Sequence, residues 1–494
     1  MNRELRFAVN DREIRTDKPE GMAVLDFIRE ELGLKGTKEG CREGDCGACA
    51  VLLGERLPEG GVRYFATPSC LLSLGKVEGR HIVTIEGLAA GAKAKGLEGG
   101  LSPVMKILLE ENGSQCGFCS PGVVIALTSF LLGGPPYDEA GAIVAVEGNL
   151  CRCTGYAAIR RAAAKLAREF GGLPADFNER LALLIEKGAV PESLGAYSSG
   201  TFCPQAVCGT GSAEAAGSAV VIGGGTDYYV RNPEPDPGLS FLFLNNDPEY
   251  CGVKAGPEGL EVGAATRLHD FFADGRLRSF IPGIERFEAD IASSLVRSEA
   301  TIGGNAVNGS PIADMMVMLI ALGAQVKIRD LKSGRERSMT LDRLYLGYKK
   351  LDLAPGEVLA SFIIPKAEGA GEGRRFNFEK VAKRQYLDIA SANTAACFEV
   401  EGPAAKPRIV SARLSAGGVA PVPLYLKAAS EYLRGKEASA ETAKEAARLA
   451  VAASSPIDDV RGSADYRRRL LSRLILAHFV RLFPETGIAE VLFP

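Results

Sequence analysis

The chain has 494 residues, 46% of them apolar, with 58 basic against 61 acidic side chains and a formal net charge of -3. That length exceeds one hydrophobic core and predicts about three domains, and the near-neutral balance carries no electrostatic footprint for nucleic acid or an anionic membrane surface. Met1 to Asn10 lacks the apolar core of a signal peptide, and Val123 to Leu132 is about half the length that crosses a bilayer, so no membrane insertion and a cytoplasmic location are expected. In that compartment the 12 cysteines are ligands, core residues or redox groups rather than disulfides.

Up to about residue 85, alternating stretches such as Leu5-Arg6-Phe7-Ala8-Val9 predict short strands, interrupted by one helical pattern from Val24 to Leu32. Cys41, Cys46 and Cys49 fall among Gly36, Gly40, Gly44 and Gly47, whose backbone can approach closely and turn amides toward sulfur. A hairpin placed at Leu57 to Thr67 returns the chain to Cys70. Gly87 to Gly100, rich in glycine and alanine without a clear period, reads as a linker. Helical patterns follow at Pro103 to Glu111, Pro121 to Leu132, Asp138 to Gly148 and Gly155 to Phe170, and these predict a compact bundle. Cys116, Cys119, Cys151 and Cys153 precede helices of that bundle, where free amides and partial positive charge favour thiolates. After Gly171-Gly172 a weak pattern to about Gly217 reads as a linker with a short helix. From Ala219 strands followed by glycine turns predict a mixed α+β domain to about Pro365. From about Arg374, strands (Phe398 to Val400, Ile409 to Leu414) precede helices (Ala438 to Ala453, Ser463 to Phe483), a further α+β unit. In the last helix Leu470, Leu471, Leu474, Ile475, His478, Phe479 and Leu482 share one face, expected to be core.

The chemistry lies first in two cysteine quartets. Cys41, Cys46 and Cys49 have the C-x4-C-x2-C spacing, completed by Cys70, while Cys116 and Cys119 (C-x2-C) are completed by Cys151 and Cys153 (C-x-C). Four thiolates are what one [2Fe-2S] cluster requires, and the first spacing is the plant-type arrangement. Zinc is the alternative, because thiolate sites do not announce their metal, although the glycine-rich first quartet is unlike a zinc finger. A second signal is Gly223-Gly224-Gly225-Thr226-Asp227 after an apolar strand, where backbone amides can meet a pyrophosphate; alone it is weak, since most such triplets are turns. The run from Ala300 to Asp314 offers further small residues, amide and hydroxyl donors and an acid, so the two runs together can cradle a dinucleotide. His81, His269 and His478 have no ligand spacing and read as structural or surface residues. Lys380, in Glu379-Lys380-Val381-Ala382-Lys383-Arg384, reads on its own as part of a solvated charged run.

The first spacing, followed by Gln115-Cys116-Gly117-Phe118-Cys119-Ser120-Pro121-Gly122 and Asn149-Leu150-Cys151-Arg152-Cys153-Thr154-Gly155-Tyr156, resembles the iron-sulfur region of the molybdenum hydroxylases, the xanthine dehydrogenase family. The two glycine runs resemble that family's flavin domain, and Pro456 to Arg467 resembles the closing motif of its flavoprotein C-terminal domain. The resemblance implies a multidomain α+β chain: a β-grasp [2Fe-2S] ferredoxin over residues 1–86, a four-helix [2Fe-2S] bundle over 98–171, a linker over 172–216, a PCMH-type FAD-binding domain over 217–368, and a CO dehydrogenase flavoprotein-like C-terminal domain over 374–487. It assigns Cys41, Cys46, Cys49 and Cys70 to one cluster, and Cys116, Cys119, Cys151 and Cys153 to the other. It assigns FAD contacts to Val221, Ile222, Gly223, Gly224, Gly225, Thr226, Asp227, Tyr228, Thr301, Ile302, Gly303, Gly304, Asn305 and Asp314, and by position to Ile291, Leu359 and Lys380. Ile291 departs from relatives that carry an aromatic there.

By the same resemblance the chain is an electron-transfer subunit. It takes electrons from a molybdopterin-binding large subunit, most like that of xanthine dehydrogenase in purine catabolism, through both clusters to FAD and on to NAD, in a dimer of heterodimers. No acid, base or other catalytic residue is expected on this chain. The same subunit serving an aldehyde, N-heterocycle or CO hydroxylase is the rival enzyme reading, and a zinc-stabilised binding or assembly protein is the rival of another class. Cys203 and Cys208 depart from the family pattern, but Cys251 and Cys397 show no paired spacing, so all four read as free cysteines of a linker and core rather than ligands of an extra [4Fe-4S] cluster.

Overall fold

The structure is a computed structural model, and it describes residues 3–57, 60–204, 219–367, 374–384 and 386–492. Two compact units emerge: residues 1–246 with Ser293–Ala300, and residues 247–292 with 301–494.

The first unit begins with a five-stranded sheet in the order Arg12–Thr16, Leu5–Val9, His81–Val83, Ala50–Arg56, Val62–Pro68. Leu5–Val9 runs antiparallel to Arg12–Thr16 and parallel to His81–Val83. The apolar run of Ala50–Arg56 has a simple cause. Successive strand side chains point to opposite faces, so Val51 and Leu53 join a core with Phe7, Phe27 and Ile28, while Ala50 and Leu52 join a second core built with the following helices. The sheet is therefore buried on both faces at this strand.

Those helices are Pro103–Glu110, Ser120–Leu132, Glu139–Ala145 and Ala157–Phe170. Ala157–Phe170 buries Ile159, Ala162, Ala163, Leu166, Ala167 and Phe170 at helical spacing. Ser120–Leu132 is buried over most of its circumference, because it packs on the sheet strands as well as on its sister helices. No helix among the described residues is long and apolar enough to cross a membrane.

Two stretches read as linkers fold differently. The helix Ile85–Ala94 occupies most of Gly87 to Gly100. Its period is hidden because close packing takes small residues in place of large apolar ones: a Cβ on Gly91 would lie 2.7 Å from Pro191 Cα. Residues 172–204 hold two helices, Phe177–Glu186 and Glu192–Ser199, which bury Leu181, Leu184, Leu194 and Tyr197 in the bundle core. Cys208 lies outside the described residues.

In the second unit, an antiparallel sheet orders Glu336–Thr340, Gln325–Asp330, Glu357–Pro365, Gly259–Gly263 and Val253–Ala255. A second sheet orders Arg374–Val381, Ala392–Glu401, Arg408–Gly417 and Leu424–Tyr425. The wholly apolar Met315 to Ala321 in helix Asp314–Ala321 is buried. Helix Ala464–Leu482 covers the second sheet and Ala440–Ala453 packs against that helix, with Leu471, Leu474, Ile475, His478, Phe479 and Leu482 all buried. The multidomain α+β class expected from the sequence is the class observed.

His478 is fully buried between Asn377 and Thr394. The Asn377 amide donates to Nδ1 at 2.9 Å, which leaves the ring proton on Nε2 to reach the Thr394 hydroxyl at 2.9 Å. Burial pushes its pKa down to about 3. The unfolded chain takes up this proton below about pH 6.5 and the folded chain does not, so stability present at neutral pH is lost as pH falls from about 6.5 toward 3. Between pH 7.5 and 5.0 the protein is expected to lose about 2 kcal/mol more stability than its His478→Gln variant. Urea unfolding of both at the two pH values measures this.

Candidate cofactor sites

Cys41, Cys46 and Cys49 lie on the loop before strand Ala50–Arg56, and Cys70 lies on the 3-10 turn Ser69–Leu71 after Val62–Pro68. The sulfurs come together in twos. Cys49 Sγ and Cys70 Sγ are 3.4 Å apart, and Cys41 is hydrogen-bonded to Cys46. In the bundle, Cys116 Sγ and Cys153 Sγ are 3.5 Å apart and Cys119 is hydrogen-bonded to Cys151. A [2Fe-2S] cluster takes two thiolates on each iron, whereas one tetrahedral zinc gathers its ligands around one point. Among the described residues no three cysteine, histidine or acidic side chains gather as ligands of a single ion. Pairing two by two within each quartet fits the binuclear group.

Local dipoles favour thiolates at two of these positions. The hydrogen bond from Cys46, aided by the backbone amides of Glu43 and Asp45, brings the Cys41 thiol down to about 6. Burial raises the Cys151 pKa, but hydrogen bonds from the Thr154 hydroxyl and amide outweigh it and the net shift is downward. Cys119 directly precedes helix Ser120–Leu132 without a side-chain capping bond, and burial pushes its thiol up to about 12.

The two quartets are joined directly. The Leu150 amide, next to Cys151, donates to the Cys46 carbonyl at 2.9 Å, and Asn149 Nδ2 donates to the Gly47 carbonyl at 3.1 Å. This close approach needs glycine on both sides. A Cβ on Gly122 would lie 2.1 Å from the Gly47 oxygen, and one on Gly47, at φ 65°, would lie 2.4 Å from Asn149 Nδ2. Cys49 and Cys70 are buried, while Cys116 and Cys153 are exposed beside Phe118 (47% exposed) and Tyr156 (41%).

The first glycine run follows strand Val220–Ile222, which pairs in parallel with Phe241–Phe243, and leads into helix Thr226–Arg231. Val221 is exposed and Ile222 buried; Gly225 has φ 83°, and Asp227 pairs with Arg231 at 2.7 Å. Tyr229 is fully buried in one cluster with Leu25, Cys49, Cys70 and Leu71, and Tyr228 packs against it. Periodicity did not mark Tyr229: its partners lie far away in the chain, and only an aromatic pair after the loop was visible. Lys76 and Glu299, which also reach this loop, escaped for the same reason.

The remaining residues assigned to FAD belong to the second unit. The Thr301 hydroxyl accepts from the Gly304 amide at 3.1 Å and so caps helix Ile302–Val307. Asn305 Oδ1 is buried without a hydrogen-bond partner, an acceptor that a ligand donor would satisfy. Lys380 is half-buried rather than solvated: its ammonium lies 2.8 Å from Asp314 Oδ2 and also donates to the Asp290 carbonyl. Burial raises the Asp314 pKa, with Lys380 and Asn393 opposing it. Ile291 and Leu359 are buried apolar residues of this unit, Leu359 within strand Glu357–Pro365.

Gly122 supplies a steric test without a backbone penalty, because it is helical. Gly122→Ala is expected to lower stability by about 1–3 kcal/mol by overpacking and to reduce bound iron. Gly134→Ala, where a Cβ meets nothing within 4 Å, leaves both at the wild-type level. Urea unfolding and an iron assay measure the difference.

Residues 7–71 match the family described as 2Fe-2S iron-sulfur cluster binding domain, and residues 84–164 the [2Fe-2S] binding domain. Residues 205–367 match the FAD binding domain in molybdopterin dehydrogenase, and 378–482 the CO dehydrogenase flavoprotein C-terminal domain. Xanthine dehydrogenase 1 of Arabidopsis thaliana is 28% identical over 507 residues, covering 86% of this chain and 36% of the relative. Xanthine dehydrogenase of Blastobotrys adeninivorans is 28% identical over 592 residues, covering 98% of this chain and 41% of the relative. The chain therefore spans well under half the length of these relatives. A solved carbon monoxide dehydrogenase from Hydrogenophaga pseudoflava, which lacks the Mo-pyranopterin moiety of its molybdenum cofactor, shares the fold at 23% identity with a TM-score of 0.51, over 56% of this chain and 96% of that one. With these four domain families in this order, the chain belongs to the iron-sulfur and flavin group of the molybdenum hydroxylase family.

Proposed function

We propose that this chain is the electron-transfer subunit of a molybdenum hydroxylase of the xanthine dehydrogenase type, acting with a molybdopterin-binding large subunit in a dimer of heterodimers in the cytoplasm. The observation that carries the reading is the hydrogen bond from the Leu150 amide to the Cys46 carbonyl, which joins one cysteine quartet to the other through a few covalent bonds. When bound, the two [2Fe-2S] clusters supply one-electron transfer, and FAD pairs two electrons for delivery to NAD.

The residues divide the work. Cys41, Cys46, Cys49 and Cys70 hold one cluster, and Cys116, Cys119, Cys151 and Cys153 hold the other. Val221 to Tyr228, Thr301 to Asn305, Asp314 and Lys380 hold FAD, with Ile291 and Leu359 as apolar neighbours. Exposure of Cys116 and Cys153 with Phe118 and Tyr156 makes the bundle quartet the end that a partner can approach. Tyr229 packs with the buried Cys49–Cys70 pair and lies against Gly225 of the glycine loop. No side chain of this chain is assigned a proton-transfer role.

Fusion of both iron-sulfur domains to the flavin domains in one chain supports the xanthine type. The xanthine dehydrogenase match covers up to 98% of this chain, whereas the carbon monoxide dehydrogenase chain is itself 96% covered by 56% of this one. Service to an aldehyde, N-heterocycle or CO hydroxylase is the competing reading of the same machinery.

The purified protein is expected to be coloured, with iron and acid-labile sulfide for two clusters and one FAD per chain, and to co-purify with a molybdenum-containing polypeptide. Cys119→Ser should erase one of two cluster signals in electron paramagnetic resonance and leave the second. A colourless protein without sulfide or flavin overturns the proposal in favour of a zinc-stabilised one. A substrate screen of the co-purified complex, with NAD as acceptor, decides between xanthine and its competitors.

A further inference from the structure

Lys76 ends the 3-10 turn Leu74–Lys76 and is 1% exposed. Its ammonium pairs with the carboxylate of Glu299, also 1% exposed, and donates to the Gly224 carbonyl at 2.8 Å. Glu299 accepts a second hydrogen bond from the Thr67 hydroxyl at 3.0 Å. The loop lies directly on this acid's own backbone, since a Cβ on Gly224 would sit 2.1 Å from the Glu299 carbonyl oxygen. Around the loop the lobe is seated on the same ferredoxin turns: the Phe241 amide donates to Glu20 at 2.8 Å, Tyr229 Oη to the Gly21 carbonyl at 2.8 Å, and Asn246 Nδ2 to the Gly75 carbonyl at 3.3 Å. Those contacts hold the flanks, whereas Lys76 reaches the glycines themselves.

A buried ion pair is weak evidence for stability, because desolvation offsets the attraction; its value lies in fixing one arrangement. Here that arrangement has a consequence for the loop. In a trans peptide the carbonyl and the next N–H point in opposite directions. Holding the Gly224 oxygen toward Lys76 therefore aims the Gly225 N–H away from the ferredoxin side, as an amide must be aimed to receive an anionic oxygen.

We propose that Lys76 is a positioning residue for the flavin: it clamps the Gly224 peptide against Glu299, so that retention of FAD depends on a side chain of the ferredoxin domain. This rests on the reading of the glycine loop as an FAD site. Without the clamp a run of three glycines regains its conformational freedom, and the amides lose their common direction.

The test is FAD affinity of the full chain, by titration of deflavinated protein, with iron content and the two cluster signals recorded on the same samples. Lys76→Met should weaken FAD binding about tenfold or more and leave both cluster signals in place. Since Lys76→Met strands the Glu299 carboxylate, the double variant Lys76→Met/Glu299→Leu repeats the measurement with both charges removed and the same loss expected. Arg297→Met/Glu147→Leu removes the second buried ion pair of the Ser293–Ala300 segment, 2% and 1% exposed, leaves Lys76 on the Gly224 carbonyl, and should weaken FAD binding less than the Lys76 variants do. Wild-type FAD affinity in the Lys76→Met/Glu299→Leu protein overturns the clamp while leaving the FAD site standing, and so does an equal loss in the Arg297 pair. Failure of the wild-type protein itself to bind FAD overturns the site and the clamp together.

Discussion

The peptide bond that follows Cys46 is the constraint on which the iron-sulfur half depends. Its carbonyl takes the Leu150 amide, and the next carbonyl, of Gly47, takes the Asn149 side chain while lying over Gly122. Two cysteine loops from different domains are thereby tied by one backbone hydrogen bond and one from a side chain. The domains cannot shift against each other without breaking hydrogen bonds that are buried between them, and an unmade buried hydrogen bond costs about 1–3 kcal/mol. The double-sided burial of strand Ala50–Arg56 serves the same end, because its alternate side chains belong to two cores. Cysteine loops, sheet and bundle are one packed object in which the spacing between the two quartets is set by these hydrogen bonds and by the close packing at Gly47 and Gly122.

Ser293–Ala300 extends this object to the flavin domain's sequence. The segment is held by two buried ion pairs, Arg297 with Glu147 of the bundle and Glu299 with Lys76 of the ferredoxin sheet. Paired charges of this kind gain little net stability over apolar packing, yet each is costly to separate. They suit a segment that must stay in one register. Glu147 also accepts from the Ser294 amide, so the bundle fixes both the backbone and the side chain of the segment.

How much of this was legible follows from distance along the chain. The spacings within C-x4-C-x2-C, C-x2-C and C-x-C are local, and so are the helix patterns from Pro103 to Phe170, so both are read from short stretches of sequence. Gly87 to Gly100 failed as a linker because Gly91 packs on Pro191, a contact that rewards smallness and erases the apolar period. Lys380 was ambiguous for the opposite reason. Nothing beside it in Glu379-Lys380-Val381 reveals Asp314, which lies 66 residues away in sequence and pairs with this otherwise surface-like charge. Lys76 and Glu299 are separated by 223 residues, and no periodicity spans that interval.

The glycine loop shows why a short motif can be weak as a sequence signal and still be structurally demanding. Gly223-Gly224-Gly225 is a weak signal on its own because such triplets are commonly turns. The same freedom that makes them common makes them expensive to order, roughly 0.5–1 kcal/mol for each glycine relative to alanine. A loop of this composition cannot hold a binding conformation by itself, so the restraint has to come from outside the motif. It comes here from the Lys76 ammonium on one carbonyl, the Glu299 backbone beneath Gly224, and Tyr229 anchored beside Cys49 and Cys70. Part of the restraint on the triplet is thus written in residues remote from it in sequence, Lys76 and Glu299.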